Sequence, residues 1–146
     1  MLGTLARWLR VMGVDVAYHR DLDDAELVAL ARAEGRHILT RDTLLIRRRW
    51  VRDHHLFIRD DHLPEQLRQV VAAFGLDPCA RFLSRCLTCN VPLQPVDRST
   101  VAGRVPPHVF STQLQFATCP ACGRFFWSAT HRERMAERLA VMLGLA

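Results

Sequence analysis

The sequence predicts a three-layer α/β/α domain with a parallel sheet, followed by a small four-cysteine zinc-binding unit. Short apolar runs alternate with amphipathic helical patterns through the first half of the chain, which is typical of strand–helix–strand units. The second half differs, because all five cysteines lie between Cys79 and Cys122. We therefore predict an α/β domain over residues 1–78 and a zinc ribbon with a C-terminal helix over residues 79–146.

Four helices are predicted in the first domain from the spacing of apolar residues, over residues 2–12, 23–34, 42–50 and 64–74. In the first, leucines recur at intervals of three and four along one face, and Gly13 ends the helix. Asp23 and Glu26 have the spacing of a capping box at the start of the second. Pro64 suits the first turn of the fourth helix.

Three short strands are predicted between these helices, at residues 14–18, 37–40 and 55–58. Each strand runs out into acidic residues: Asp21, Asp23 and Asp24 after the first, Asp42 after the second, and Asp60 and Asp61 after the third. If the strands are parallel, these acids share one edge of the sheet. Ligands of open α/β sheets bind at that edge, outside the carboxyl ends of the strands.

Carboxylates gathered at one point repel one another unless a cation neutralises them. A hard ion such as Mg²⁺ or Mn²⁺ suits oxygen ligands, and such an ion supports hydrolysis of a phosphodiester. Each acid also has a structural explanation. Asp23 and Asp24 suit the first turn of a helix, while Asp42 suits a cap, and Asp60 or Asp61 suits a turn. The recurrence of acids after three strands favours the metal site.

Four of the cysteines form two Cys-x-x-Cys pairs, Cys86 with Cys89 and Cys119 with Cys122. Two such pairs can close a tetrahedral thiolate site, and the 29 residues between them leave room for a ribbon. We predict a structural zinc ion with no open coordination position; an iron site like that of rubredoxin and oxidised pairs are the alternatives. Cys79 is predicted to be a small buried apolar residue.

The formal net charge of +5 comes from the second part of the chain. Residues 1–78 hold 12 basic and 12 acidic residues, whereas residues 79–146 hold 8 and 3, which indicates either a polyanionic partner or a solvated basic face. Residues 124–127, RFFW, could stack bases, or Phe125 and Trp127 could pack the ribbon against the α/β domain. The sequence has no apolar run of membrane-spanning length and no signal peptide, so we expect a soluble, cytoplasmic protein.

Several stretches together resemble the Mut-seven C-terminal ribonuclease family, which is described as a PIN-like nuclease domain with a C-terminal zinc ribbon. They are GTLARWLR at residues 3–10, DDAEL at 23–27, GRHILTRD at 35–42, and the cysteine pairs with RVPP at 104–107 between them. The resemblance implies metal-dependent cleavage of RNA by a cluster of acids. Asp24 and Asp42 match the acidic motifs and would hold Mg²⁺ or Mn²⁺, and Thr40 would help to hold the acidic turn. The supporting acids would be Asp23, Asp60 and Asp61.

The chain departs from the family's pattern in two places. The family begins with a strand ending in Asp just before the stretch that here starts at Met1, and it tends to have Lys where this chain has Thr4. PIN-like sites place that first Asp at their centre, so we expect either a start at an internal methionine or weakened catalysis. The alternatives to a ribonuclease are a non-catalytic RNA-binding or adaptor protein with the same fold and a protein-interaction scaffold built on the ribbon.

Overall fold

The computed structural model of the chain describes residues 2–128 and 130–145, and Met1, Ala129 and Ala146 lie outside the described residues. The first part contains the helices α1 (Gly3–Val11), α2 (Asp24–Glu34), α3 (Arg49–Arg52) and α4 (Leu63–Phe74) and the strands β1 (Ile38–Thr40) and β2 (His55–Phe57). The second part contains the strands β3 (Gln94–Val96), β4 (Phe116–Thr118) and β5 (Phe125–Trp127) and the helices α5 (Arg98–Val101), α6 (Pro107–Thr112) and α7 (Thr130–Leu143).

β1 and β2 form a parallel sheet, with Ile38 opposite His55 and Thr40 opposite Phe57. Beyond this register the N–H of Ile58 donates to the carbonyl of Thr40 at 2.8 Å. The carboxyl ends of both strands therefore lie side by side. The mixed α/β class is confirmed, with this parallel sheet in the first part and an antiparallel sheet in the second.

The predicted strand at residues 14–18 is wrong, because this segment pairs with neither strand of the parallel sheet. Side chains form the hydrogen bonds that a neighbouring strand would otherwise have made with the backbone of this segment. The N–H of Val16 donates to Oδ1 of Asn90 at 3.0 Å, and its carbonyl accepts from Nε of Arg10 at 2.9 Å. These bonds satisfy the backbone of Val16 without a strand partner, and the parallel sheet has two strands where three were predicted.

The predicted helix at residues 42–50 is also replaced by two shorter elements. A 3₁₀ helix (Leu45–Arg47) is followed by α3, and Arg48 between them has an extended backbone, with φ −63° and ψ 140°. This conformation breaks the helical hydrogen-bond series. The segment after β1 is therefore a turn with two short helical elements and not one continuous helix.

One apolar core connects the two ends of the chain. It contains α1, α4 and α7, and its buried members are Leu5, Trp8, Leu9, Val11, Met12, Ile58, Leu67, Val70 and Leu139. Burial of each large side chain contributes about 1.5–3 kcal/mol, so α7 adds stability to the first part of the chain. The C-terminal helix thus packs against the α/β elements, and the domain boundary at residue 78 stays a prediction.

A smaller core lies beneath the predicted acidic edge. Ala31 of α2, Ile38 of β1, Leu45 of the 3₁₀ helix and Val51 of α3 are buried together. This packing holds the second half of α2 against β1 and the turn that follows it, and Arg48 contacts Asp24 at the start of α2. Two of the predicted acidic stretches therefore come from elements that share a core.

The ribbon, residues 84–128, has its own sheet and core. Its antiparallel strands are ordered β3–β4–β5. Phe125 and Trp127 pack with Phe116 and with the valines of α5 and α6. These two aromatic residues are thus packing residues, as one alternative held, but they contribute to the ribbon's core and not to an interface with the α/β part.

Residues 81–85 fold over the end of α1. The N–H of Leu83 donates to the carbonyl of Val11 at 2.7 Å, and Nε of Arg85 donates to the carbonyl of Gly13 at 3.1 Å. Gly13 has φ +82°, and a Cβ placed there would lie 2.2 Å from the carbonyl oxygen of Arg81.

Within the described residues, no helix combines the length and apolar content needed to cross a membrane.

Candidate functional site

The four cysteines of the two pairs meet at one point of the ribbon. One sulfur from each of Cys86, Cys89, Cys119 and Cys122 lies within 4.8 Å of the others, and the sulfurs of Cys86 and Cys122 are 3.9 Å apart. Tetrahedral ligation with Zn–S bonds of about 2.3 Å places sulfurs roughly 3.8 Å apart. The cluster therefore fits a structural zinc ion whose four positions are all filled by the protein.

Both cysteine pairs lie in turns of the same hydrogen-bond pattern. In each turn, the N–H of the first cysteine donates to the carbonyl five residues later, and its carbonyl accepts from the N–H four residues later. The residue at this fourth position has a left-handed backbone, with φ +60° at Asn90 and +74° at Gly123. Asparagine and glycine tolerate this conformation best, which explains their presence at these two positions.

Asn90 also fastens the first turn to the segment before α2. Besides accepting from Val16, it donates through Nδ2 to Oδ1 of Asp15 at 2.7 Å, and Asp15 accepts from NH1 of Arg36 at 2.9 Å. Burial acts to raise the pKa of Asp15, but the bonds from Arg36 and Asn90 outweigh it and lower the pKa. The α/β part and the ribbon are thus joined by polar contacts as well as by α7.

The thiols of the cluster differ in acidity in their free state. Desolvation raises the pKa of Cys89 to about 12. The backbone N–H of Cys122 points at the sulfur of Cys119 and lowers the pKa of Cys119 to about 7. Because metal ions bind thiolates, loading of the site releases protons, and affinity falls as the pH falls.

Cys79 lies outside this cluster and is exposed, so the prediction that it is a buried apolar residue is wrong. Its N–H donates to Oδ1 of Asp77 at 2.9 Å, in a turn at the end of the α/β part. A residue in such a connection has little apolar surface around it to bury its side chain.

Asp42 follows β1 in a turn that is held by hydrogen bonds to its backbone N–H and to its carboxylate. The buried hydroxyl of Thr40 accepts from the N–H of Asp42 at 3.0 Å, as the Thr-x-Asp pattern suggests. Oδ1 of Asp42 accepts from the N–H groups of Leu44 and Leu45 at 2.8 and 3.2 Å. The carboxylate thus caps the 3₁₀ helix, and its second oxygen accepts no hydrogen bond from the residues that the structure describes.

Asp23 and Asp24 stand at the start of α2. The predicted capping box is present: Oδ1 of Asp23 accepts from the N–H of Glu26 at 2.8 Å, and the Glu26 carboxylate accepts from the N–H of Asp23 at 3.0 Å. Oδ2 of Asp24 lies 3.8 Å from NH2 of Arg48. Asp23 is therefore engaged in the helix cap, whereas Asp24 is exposed beside an arginine of the turn after β1.

Asp60 and Asp61 follow β2 and both contact His62. Nδ1 of His62 is 2.9 Å from Oδ1 of Asp60 and 3.1 Å from Oδ1 of Asp61. Asp60, His62 and Glu65 offer ligand atoms within 4.8 Å of one another. Their oxygen and nitrogen donors could hold a divalent ion such as Mn²⁺ at the protein surface. Asp24 and Asp42 belong to neither of the clusters of three or more potential ligands found among the described residues.

We expect an NMR titration to place the pKa of His62 above its ordinary value of about 6.5. The hydrogen bond to Asp60, aided by the charge of Asp61, raises it, and His62 in turn lowers the pKa of Asp60. The stability from this contact is complete between the ordinary pKa of Asp60, 3.8, and that of His62, 6.5. It is lost as the pH rises through the raised pKa of His62, and also as the pH falls through the lowered pKa of Asp60. Asp60→Asn should lower the pKa of His62; an unchanged value would contradict this pairing.

The chain matches the model of a known protein family. The model of the Mut7-C RNAse domain matches residues 1–139 of the 146-residue sequence. The chain belongs to this family. No curated protein and no solved structure matches it. The match takes in the α/β elements, the ribbon and most of α7, so the Mut7-C RNAse domain here includes both the acidic edge and the cysteine cluster.

In this Mut7-C RNAse domain, Asp60 and Asp61 were predicted from the sequence as site residues, whereas His62 and Glu65 were not. The signal was present, since residues 60–65 read DDHLPE and Pro64 predicts a helix start. In the first turn of α4, Glu65 lies three residues after His62, a spacing that places two side chains on the same face. The two aspartates were predicted because they follow the end of a predicted strand.

Proposed function

We propose that this Mut7-C RNAse domain hydrolyses RNA phosphodiesters at the edge where β1 and β2 end, with a divalent cation as cofactor. Membership of the family over residues 1–139 is the observation that carries the proposal. Asp24 and Asp42 hold Mg²⁺ or Mn²⁺ in this scheme, and Asp23, Asp60 and Asp61 support them. RNA is the substrate and partner.

The geometry of the edge supports this assignment. The parallel pairing of β1 and β2 brings the residues after each strand to the same side of the sheet, so Asp42 and Asp60 leave the sheet there. Asp24 lies near the same turn, where its Oδ2 is 3.8 Å from NH2 of Arg48. Carboxylate oxygens are the donors that hard divalent cations prefer, so the residues fit the proposed ion.

Each side chain has a defined task in the proposed reaction. The ion, when bound, supplies Lewis acidity and charge neutralisation for the phosphate. Asp42 contributes its free oxygen, while its other oxygen keeps the turn in place through Leu44 and Leu45. Asp24 contributes the second carboxylate. Arginines of the ribbon bind and orient the RNA backbone, for which guanidinium groups suit phosphate.

We expect Asp42→Asn to lower the rate of RNA cleavage by about a hundredfold or more, because a neutral amide is a poor ligand for a hard cation. The amide oxygen still accepts from Leu44 and Leu45, so the fold should persist. The measurement is the cleavage of a labelled RNA with Mg²⁺ or Mn²⁺, alongside thermal unfolding.

Asp53→Asn is the matched control, since Asp53 is an exposed acid at the end of α3. This variant should cleave RNA at the wild-type rate. Cleavage that is unaffected by Asp42→Asn, or equally reduced in both variants, would refute the proposed site. A wild-type protein that cleaves no RNA with either ion would refute the function itself.

The second candidate function is a non-catalytic RNA-binding or adaptor protein. Two observations favour it: Arg48 already faces Asp24, and Asp42 already serves as a cap. An acidic edge explained by helix caps and an ion pair needs no catalytic ion. This candidate predicts salt-dependent RNA binding without cleavage under any of the conditions above.

A further inference from the structure

A groove lies where α1 meets the first cysteine turn and β5. Its volume is about 740 Å³. Its lining comes from widely separated parts of the chain and includes Arg7 and Arg10 of α1, Tyr18 and Arg20 before α2, and Arg124 and Phe126 at β5. We call it the arginine groove. It is separate from the acidic edge, since none of the proposed catalytic acids lines it.

Most of the charged side chains that line the arginine groove are basic. Four arginines and no acid line it. Arg7, Arg20 and Arg124 are exposed, and among the described residues none of these three forms an ion pair. Three exposed guanidinium groups around one concave surface, without carboxylates to neutralise them, suit a ligand with several phosphates.

The groove also presents two aromatic rings that the protein's own cores do not use. Phe126 lies between Phe125 and Trp127, and side chains alternate along a strand, so it faces away from the ribbon core that these neighbours fill. Tyr18 packs over Gly3 and is 41% exposed. A base has a flat face for such rings, so aromatic and cationic groups together fit a nucleic acid better than they fit a phosphate alone.

Hydrogen bonds hold the walls of the groove in fixed positions. Arg10 donates from Nε to Val16 and from NH1 to the carbonyl of Leu87 at 2.8 Å, joining α1, the segment before α2 and the first cysteine turn. NH1 of Arg124 reaches Oγ1 of Thr88 at 3.4 Å, which links the two cysteine turns. Burial lowers the pKa of Arg10. Arg10 is therefore a positioning residue, whereas Arg7, Arg20 and the other N–H groups of Arg124 remain for a ligand.

We infer that the arginine groove binds single-stranded RNA as a second site, with phosphates on Arg7, Arg20 and Arg124 and bases on Phe126 and Tyr18. A duplex hides its base faces in stacking, so the rings select single strands. This inference rests on the proposed function and deepens it, because the groove lies close to one of the proposed catalytic acids. Arg20 and Asp24 are four residues apart, so their Cα atoms are separated by at most about 14 Å. A strand in the groove therefore leads to the start of α2 and its acids.

Binding is measured by fluorescence anisotropy with a labelled single-stranded RNA of mixed sequence, without added divalent ions, on the full chain carrying Asp42→Asn. We expect the triple variant Arg7→Ala/Arg20→Ala/Arg124→Ala to weaken binding at least tenfold and to make the slope of log K against log salt shallower by about 2. The matched control is Arg32→Ala/Arg52→Ala/Arg134→Ala, which removes the same charge elsewhere. The control should bind within about twofold of the parent.

Phe126→Ala should weaken single-strand binding about tenfold and leave the salt slope unchanged, because stacking does not depend on counterion release. If the alanine variant fails to fold, Phe126→Leu replaces it, because leucine keeps most of the apolar volume. Phe126→Leu should also bind single-stranded RNA less tightly than the parent. Zinc content and thermal unfolding verify that each variant is folded. A blunt duplex of the same sequence should bind more weakly and should not respond to Phe126→Ala.

The inference is overturned if the groove and control triple variants lose equal affinity, if the groove variant binds like the parent, or if the duplex binds as well as the single strand. Binding of polyglutamate with no binding of RNA would also overturn it. The nuclease proposal is judged separately. If RNA binding depends on the groove but the wild-type chain cleaves no RNA, the groove proposal stands and the nuclease proposal is refuted. If the chain cleaves RNA but binding does not depend on the groove, the nuclease proposal stands and the groove proposal is refuted.

Discussion

Cys119→Ser is expected to abolish metal binding and to unfold the ribbon. Cys119 is fully buried, and its sulfur lies in the cluster with three other cysteines. Structural zinc in small domains has an apparent binding free energy of about 10–16 kcal/mol, which is folding free energy because the unfolded chain has no site. A domain's whole stability is about 5–15 kcal/mol, so the small ribbon cannot compensate for this loss.

The measurements are the zinc content per chain and the amide NMR spectrum. We expect one zinc ion in the wild type, none in Cys119→Ser, and collapse of the chemical-shift dispersion for residues 84–128. Cys79→Ser is the matched control, because Cys79 is exposed and outside the cluster. It should retain one zinc ion and the wild-type spectrum. Iron in place of zinc, or a Cys119→Ser protein with full zinc content, would contradict the prediction.

Gly13→Ala should lower the free energy of unfolding by about 2–5 kcal/mol and the melting temperature by roughly 10 °C. Two costs add at this position. The backbone is left-handed, with φ +82°, and an added Cβ would lie 2.2 Å from the Arg81 carbonyl oxygen and 2.5 Å from the Arg81 Cβ. The segment that covers the end of α1 would have to move, and with it the bonds from Leu83 and Arg85.

Gly35→Ala isolates the backbone cost. Gly35 caps α2 with a similar φ of +64°, but nothing lies within 4 Å of a Cβ placed there. We expect this variant to lose only about 1 kcal/mol, the strain of a left-handed alanine partly offset by the restriction of the unfolded chain. Equal losses in the two variants, measured by chemical denaturation, would show that close contact at Gly13 contributes nothing.

Local chemistry explains which features were predictable. The spacing of the two Cys-x-x-Cys pairs was sufficient to predict the cluster, because a turn of this length aims two sulfurs at one point whatever surrounds it. The capping box of Asp23 and Glu26 was predictable for the same reason, since its hydrogen bonds join residues three apart. The acids after β1 and β2 followed from short parallel strands that did form.

A long-range hydrogen bond explains why one predicted strand did not form. Residues 14–18 have a strand-like pattern, but a strand requires a backbone partner, and Val16 instead bonds to Asn90, which lies 74 residues away. The helix predicted at residues 42–50 is interrupted because Arg48 is extended. The cap formed by Asp42 is local and was expected from the sequence, whereas the bond between Val16 and Asn90 cannot be seen within a window of a few residues.

The sequence by itself therefore determined the cysteine cluster, the helix caps, the acids that end β1 and β2, and the resemblance to the family. Only the tertiary structure decided that α7 packs on α1 and α4, that His62 and Glu65 join Asp60, and that the arginine groove exists. The physical reason is distance along the chain. Caps and metal-binding turns form between near neighbours, whereas the groove joins Gly3 to Phe126 and depends on how α1 packs against the ribbon.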